Sequence, residues 1–203
     1  MFSGIIADVG TISRSENRDG GLRLFIQSQT LDMEDVKPGD SIAVQGVCLT
    51  AVKIDGKEFQ VDVSCETLDC TTGLEMKGAR VNLEKSLRLS DRLDGHIVVG
   101  HIDGVGEVVD LTNRGESWEL RVSVPQPLAK YIARKGSIAV NGVSLTVNRI
   151  DDMEFTVNLI PHTLAVTTLG ELRTGAKVNL EIDLIARYVE RIVQAKAAGA
   201  HEQ

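Results

Sequence analysis

The ten residues Ser41-Ile42-Ala43-Val44-Gln45-Gly46-Val47-Cys48-Leu49-Thr50 return as Ser137-Ile138-Ala139-Val140-Asn141-Gly142-Val143-Ser144-Leu145-Thr146, changed only at Gln45/Asn141 and Cys48/Ser144. Matching of that density outside low-complexity sequence marks an internal duplication. The same offset pairs Gly4 with Gly100, Ile6 with Ile102, Phe59 with Phe155 and Thr71-Thr72 with Thr167-Thr168. One extra residue then enters the second copy, and Val81-Asn82-Leu83-Glu84 aligns with Val178-Asn179-Leu180-Glu181. Nearly the whole first half is repeated, and only the C-terminal tail stands outside the repeat.

A duplicated chain of 203 residues makes two domains, each near the size at which one core folds alone. The expected units are residues 1–96, residues 97–185 and a terminal helix with its tail at 186–203. Aromatic residues make up only 3% of the chain, so the cores should be Val, Ile and Leu, and a base-stacking surface is disfavoured. A net charge of −7 without a long basic run argues against nucleic acid. No apolar run approaches membrane-spanning length, and no basic-then-apolar leader opens the chain. Three cysteines, an odd and unpatterned set, read as reduced thiols in a cytoplasm.

The first copy reads as short strands divided by Gly and Asp turns. Strands are expected at residues 4–12, 22–27, 41–50, 58–63 and 80–84, with turns at 13–21 and 37–40. Gly46 and Gly142, inside the repeated strand, mark a bulge, a bend or a close approach. Residues 65–72 read as a turn or short helix, and 86–95 as a polar linker. The second copy repeats the plan, with a short helix at 125–132 that begins at a proline. The pattern predicts small antiparallel Greek-key barrels. In the tail, Leu184, Ile185, Tyr188, Val189, Ile192 and Val193 share one helical face, opposite Arg187, Glu190, Arg191 and Gln194. That face either packs on its own barrel or drives self-association.

Four motifs together carry a resemblance. They are residues 1–6 (MFSGII), the two SIAVxGVxLT strings, residues 95–101 (GHIVVGH) and residues 160–164 (IPHTL). The chain resembles riboflavin synthase of the alpha-chain type over essentially its whole length. The resemblance implies an all-β fold of two tandem six-stranded Greek-key barrels, plus a C-terminal amphipathic helix that joins three chains. Each barrel would bind one 6,7-dimethyl-8-ribityllumazine, and active sites would form between the N- and C-terminal barrels of adjacent subunits. Two lumazines would exchange a four-carbon unit to give riboflavin and 5-amino-6-ribitylaminouracil. Donor and acceptor are the same compound, so no cofactor is expected. Association with lumazine synthase is a further partner that the resemblance suggests.

The resemblance assigns catalytic roles to His101, Cys48, Ser41, Ser144 and Asp183. His101 would remove or shuttle a proton. Cys48 or Ser41, or a water they orient, would supply the nucleophile. Ser144, Thr146 and Asp183 would hold the partner lumazine, and Phe2 would cover a ring. In the first copy the binding set is Phe2, Gly4, Ile5, Ile6, Cys48, Leu49, Thr50, Asp62, Val63, Ser64 and Thr67. In the second it is Gly100, His101, Ile102, Lys135, Ser144, Leu145, Thr146, Asn158, Leu159, Ile160, Pro161, His162 and Thr163. Hydroxyls and backbone groups shared by the copies suit a flat heterocycle with a polyol arm. Positions that differ, among them Ile5/His101, Cys48/Ser144 and Glu66/His162, would divide donor from acceptor.

Plainer readings stand beside these. A cysteine in an apolar strand is ordinarily core, and only the resemblance reverses that for Cys48. Cys65 and Cys70 read as structural. His96 and His101 have poor zinc spacing and no partner ligands, so no metal is expected. His96 reads as a structural hydrogen bonder, His162 as a surface residue, and His201 lies in the tail. Asp183 is as well suited to capping the tail helix as to touching a ligand. Gly104-Val105-Gly106 lacks the rest of a phosphate loop. Gln45 stands where an asparagine is expected, which would shift a turn or a ribityl contact. The alternative reading is a non-catalytic lumazine- or flavin-binding protein on the same scaffold.

Overall fold

The computed structural model describes residues 1–199, so His201 and the end of the tail lie outside the described residues. Strands β1 (Asp8–Arg18), β2 (Gly21–Gln27), β3 (Ser41–Val44), β4 (Val47–Asp55), β5 (Glu58–Ser64) and β6 (Arg80–Lys85) close a barrel in the order β1-β2-β5-β4-β3-β6. Strands β7 (Gly104–Asn113), β8 (Trp118–Ser123), β9 (Ser137–Val140), β10 (Val143–Asp151), β11 (Glu154–Leu159) and β12 (Lys177–Ile182) close a second in the equivalent order. All pairings are antiparallel. The duplicated Greek-key barrels expected from the repeat are present.

Each barrel is filled by aliphatic residues and one phenylalanine, Phe59 or Phe155, both fully buried. Strand alternation decides what remains outside. In β4, Val47, Leu49 and Ala51 face the core while Cys48 and Thr50 face out. In β10, Val143, Leu145 and Val147 face the core while Ser144 and Thr146 face out. The chemistry-bearing positions therefore lie on the outer walls of the barrels.

Two sequence expectations need correction. The key stretch is not one strand interrupted by a glycine but a hairpin, β3–β4, and its copy is β9–β10. Gln45 (φ 52°) and Gly46 (φ 85°) form its two-residue turn, as do Asn141 (φ 49°) and Gly142 (φ 81°). Two consecutive positive φ values match the right-handed twist of the flanking strands, which is why glycine recurs there. Residues 13–21 are not a turn either. β1 runs through to Arg18 with an irregularity between Ile12 and Arg14, and the reversal is confined to Asp19-Gly20.

The hairpin tips meet. A Cβ on Gly46 would lie 2.6 Å from the Gly142 backbone nitrogen, so neither position accepts a side chain. Around this contact the two copies exchange hydrogen bonds. Asn82 donates to the Asn141 carbonyl at 2.9 Å, and Asn179 donates to the Gln45 carbonyl at 3.0 Å. Gln45 Oε1 accepts from the Asn82 backbone at 2.9 Å, and Asn141 Oδ1 accepts from the Asn179 backbone at 2.8 Å. The extra methylene of Gln45 is absorbed without changing the turn, and Gln45 is buried in the seam between barrels.

Helices are few. α1 (Cys65–Cys70) and its copy α3 (Pro161–Val166) follow β5 and β11, and α2 (Gln126–Ala129) is shorter than expected. α4 (Leu184–Gly199) docks on its own barrel through its charged side. Arg187 pairs with Asp103 at 2.8 Å, and Glu190 meets Lys130 and Tyr131. Ile185, Tyr188, Val189, Ile192 and Val193 remain 53–65% exposed. The apolar face is thus not buried on the chain's own barrel.

Candidate functional site

The segment after Met1 and its copy run between the barrels and are exchanged. Phe2 and Val98 pair with each other across the seam, at 2.7 and 3.1 Å. Beyond that bridge each strand end crosses to the opposite barrel. The Cys48 N–H of the first barrel donates to the Gly100 carbonyl at 2.9 Å. The Ser144 N–H of the second donates to the Gly4 carbonyl at 2.8 Å. Both glycines have positive φ, and a Cβ on Gly100 would meet the Cys48 Cβ at 2.5 Å. Only glycine lets the crossing backbone lie this close to the outer wall.

The exchange decides which residues share a cleft. A recess of about 230 Å³ is lined by Val47, Cys48, Glu66, Thr67, Cys70, Thr71, Gly100, His101 and Ile102. Cys48 and Thr67 come from the first copy, and Gly100, His101 and Ile102 from the second. His101 therefore serves the first barrel. The counterpart wall is formed by Ser144 with Gly4, and Ile6 packs on the second barrel's core. Cys48 is half-buried and Cys65 and Cys70 are exposed on α1, so the latter two are not core residues.

His96 closes the Ser144 side. Its Nδ1 lies 2.7 Å from Ser144 Oγ, while Nε2 is buried without a partner. Burial pushes the imidazole's pKa down, against a weaker opposing pull from the Asp183 carboxylate. His96 is therefore held neutral and pairs with the hydroxyl as acceptor or donor. The hydrogen-bonding role expected for it is present, and its partner is a residue on the outer wall of the second barrel.

Other expected residues fall in different places. Ser41 lines a separate cleft of about 800 Å³ with Asp35, Asp40 and Glu84, away from Cys48 and His101. Phe2, expected to cover a substrate ring, is wholly buried with Ala43, Val98 and Ala139. Asp183 caps α4, its Oδ1 accepting from the Ile185 N–H at 3.0 Å. The Asp62 carboxylate is held by Arg23 in two 2.7 Å bonds on the exposed wall. Lys135 sits in an exposed turn at φ 68°. Leu49, Val63, Leu145 and Leu159 point into the barrels, so only their backbones can meet a ligand. Ile5, Thr50, Ser64, Thr146, Asn158, Ile160, Pro161 and His162 are exposed, and Thr163 is half-buried on α3.

Two carboxylates were missed in the sequence. Glu84 accepts from the Ser3 N–H and hydroxyl, both at 2.7 Å, and from the Gly4 N–H at 3.0 Å. Glu181 accepts from the Val99 N–H at 2.7 Å and the Gly100 N–H at 2.8 Å. Both are buried, and burial raises both pKa values, Glu181 to about 7. The signal was available. The repeated Val-Asn-Leu-Glu ends each copy with an acid at a strand position beside apolar neighbours.

No helix among the described residues is long and apolar enough to cross a membrane, and no group of three His, Cys, Asp or Glu is placed to hold a metal ion.

Twin barrels with exchanged crossing segments, one of which lines a recess on the outer wall with Cys48, Thr67 and His101, define a duplicated ligand-binding protein. The family profile described as the lumazine binding domain matches residues 3–86 and again 99–183. Riboflavin synthase of Photobacterium phosphoreum is 43% identical over 194 residues, covering 95% of this chain and 89% of that one. Riboflavin synthase of Brucella abortus (strain 2308) is 44% identical over 200 residues, covering 96% and 98%. The crystal structure of LumP complexed with riboflavin superposes with a TM-score of 0.81 at 28% identity, covering 90% of this chain and 99% of that one. The chain belongs to the riboflavin synthase family of lumazine-binding proteins.

Proposed function

We propose that the chain catalyses the riboflavin synthase reaction, moving a four-carbon unit between two molecules of 6,7-dimethyl-8-ribityllumazine. The products are riboflavin and 5-amino-6-ribitylaminouracil. The observation that carries this reading is the chemical inequality of two outer walls built on one plan. The first offers Cys48, Thr67 and His101, and the second offers Ser144 backed by His96. Two copies of one substrate need similar walls to be bound and unlike groups to react as donor and acceptor.

The reaction needs a C7-methyl proton removed from one lumazine and a nucleophile added at C7 of the other. His101, exposed at the mouth of the first cleft, is placed to take or return a proton. Cys48 or a water beside it supplies the nucleophile at the acceptor. Ser144 hydrogen-bonds the partner lumazine, with His96 fixing its hydroxyl. A hydride acceptor or other cofactor has no part to play, because one lumazine gives what the other receives.

The barrels of residues 1–96 and 97–185, each completed by the crossing segment of the other copy, hold one lumazine apiece, and the two meet between adjacent chains. A recess of about 230 Å³ is smaller than the ~300–1,000 Å³ of usual small-molecule pockets, so a facing surface has to complete it. The exposed apolar side of α4 provides the means of assembly as a homotrimer. Free Cys48, Cys65 and Cys70 fit a reducing cytoplasm. The alternative, a lumazine- or flavin-binding protein without turnover, is favoured only by the likeness to LumP. Incubation with dimethylribityllumazine and no cofactor decides between them. Riboflavin absorbance is the expected result, and bound lumazine without product would overturn the enzymatic reading.

A further inference from the structure

We propose that Glu181 is a positioning residue for the first cleft, acting through the backbone of the crossing segment that carries His101. Glu181 stands on β12 of the second barrel, and its side chain reaches the cleft only at the backbone of Gly100, not at Cys48, Thr67 or His101. Its two carboxylate oxygens accept from the consecutive N–H groups of Val99 and Gly100. The next carbonyl, that of Gly100, is the acceptor for the Cys48 N–H. Its grip thus ends one residue before His101, on the peptide that places His101 beside Cys48. Among the described residues these two N–H groups have no other acceptor. Losing the carboxylate would leave two donors unpaired in a closed seam, a costly state that the segment relieves by moving.

Glu84 makes the corresponding grip on Ser3 and Gly4, but the two are not equivalent. Glu84 receives three hydrogen bonds and lies near the positive N-terminus. Glu181 receives two and has Asp103 beside it. The charged groups facing Glu181 are Asp103, on the stretch leading into β7, and Arg187, on α4. β9 (Ser137–Val140) and the crossing residues Val98–Gly100 carry no charged side chain. Arg187 pairs with Asp103, and Asp103 also accepts from the Ile182 N–H at 2.9 Å. The anchor of the His101 segment is therefore wired to the docked side of α4. Asp103 pushes Glu181 toward protonation, and Arg187 opposes that push. A protonated Glu181 holds the two amides less firmly.

The inference rests on the proposed cleft, so the test has one arm that does not depend on turnover. In the full chain, amide exchange at Val99 and Gly100 is followed from pH 8 to pH 5 and expressed as protection relative to the free peptide. Protection should fall as pH drops through about 7, and in Glu181→Gln it should be low throughout. Constant protection at both amides in the wild type would overturn the proposal, even if the variant did not fold. In the lumazine assay, Glu181→Gln should lower kcat by about tenfold or more, with KM changed less, and should remove the acid limb near pH 7. His101→Ala is the companion. If it lowers kcat and Glu181→Gln leaves kcat, KM and the pH profile unchanged, the positioning role fails while the proposed cleft stands. If His101→Ala is itself silent, the reading of the cleft fails, and the exchange arm still judges the grip.

Discussion

His96 Nδ1 lies 2.7 Å from Ser144 Oγ, in a pocket closed tightly enough to leave Nε2 with no partner. Ser144→Ala would strip the ring of this hydrogen bond and, among the described residues, leave both nitrogens buried and unpaired. The expected cost is about 1–3 kcal/mol, the usual penalty for a stranded buried polar group. Urea unfolding of the variant against wild type reads it. Cys48→Ser, its counterpart change in the first cleft, leaves no imidazole stranded and should unfold close to wild type. Equal midpoints for Ser144→Ala and wild type would mean that the pair contributes nothing to stability.

Gly46 and Gly142 touch across the seam, and both have positive φ. Replacing either with alanine forces a Cβ to within 2.6–2.9 Å of backbone in the other copy. Backbone cannot yield as a flexible side chain can. Gly46→Ala and Gly142→Ala should each destabilise the chain by about 3 kcal/mol or more, combining strain with loss of the Asn82 and Asn179 bonds. Gly56→Ala, at φ 59° with open space around it, isolates the φ term and should cost about 1 kcal/mol. Thermal or denaturant unfolding of the three variants orders them, and equal losses would show that the hairpin tips do not press together.

The repeat made the fold legible, because aligned strings and alternation by themselves point to twin barrels. It also exposed Cys48, Ser144, His101 and the glycines of the wall. It hid the exchange. An offset alignment places His101 with the second copy, whereas the chain crosses and delivers His101 to the first barrel. Nothing local in the sequence says that residues 98–102 leave their own barrel, since that follows from the Phe2–Val98 pairing. Strand breaks at Gln45-Gly46 were hidden for a different reason. The string on either side is equally β-forming, and only the paired positive φ values divide it. Glu84 and Glu181 were passed over because a lone acid in a strand ordinarily faces water. Here outward from the barrel means into the seam.

Two buried carboxylates should pull stability in opposite directions with pH. Burial acts first on Asp8 and would raise its pKa, but bonds from Gln29, Thr30 and Leu31 outweigh it and leave the value lowered. Its contribution is present above the unfolded-state pKa and is lost as pH falls through the folded value. Burial holds Glu181 at about 7 against an ordinary 4.5, with Asp103 adding to the rise. Its contribution is full below the unfolded value and is lost as pH climbs to about 7, a swing of ~3 kcal/mol. Glu181→Gln should therefore flatten the stability profile between pH 5 and 7, and Asp8→Asn should flatten its acid side. Chemical denaturation at stepped pH measures both. A Glu181→Gln profile parallel to wild type over pH 5–7 would contradict the assignment.

Arg187 and the apolar side of α4 should separate assembly from cleft geometry. Ile185, Val189 and Ile192 lie on the exposed side, and burying each fully against another chain is worth about 1.5–3 kcal/mol. Val189→Asp and Ile192→Asp should each weaken association by about tenfold or more. Sedimentation should then show smaller species, with lumazine binding weakened and riboflavin formation reduced. Arg187→Ala acts from the docked side. It removes the cation that offsets Asp103 beside Glu181, so the Glu181 pKa should move up and the acid limb of activity should shift to higher pH. The helix-face variants should lose activity in a way that raising protein concentration restores, and their pH profile should stay in place. The Arg187 variant should show the shifted profile at every concentration. A profile unmoved in Arg187→Ala would mean that α4 influences the site only by holding chains together.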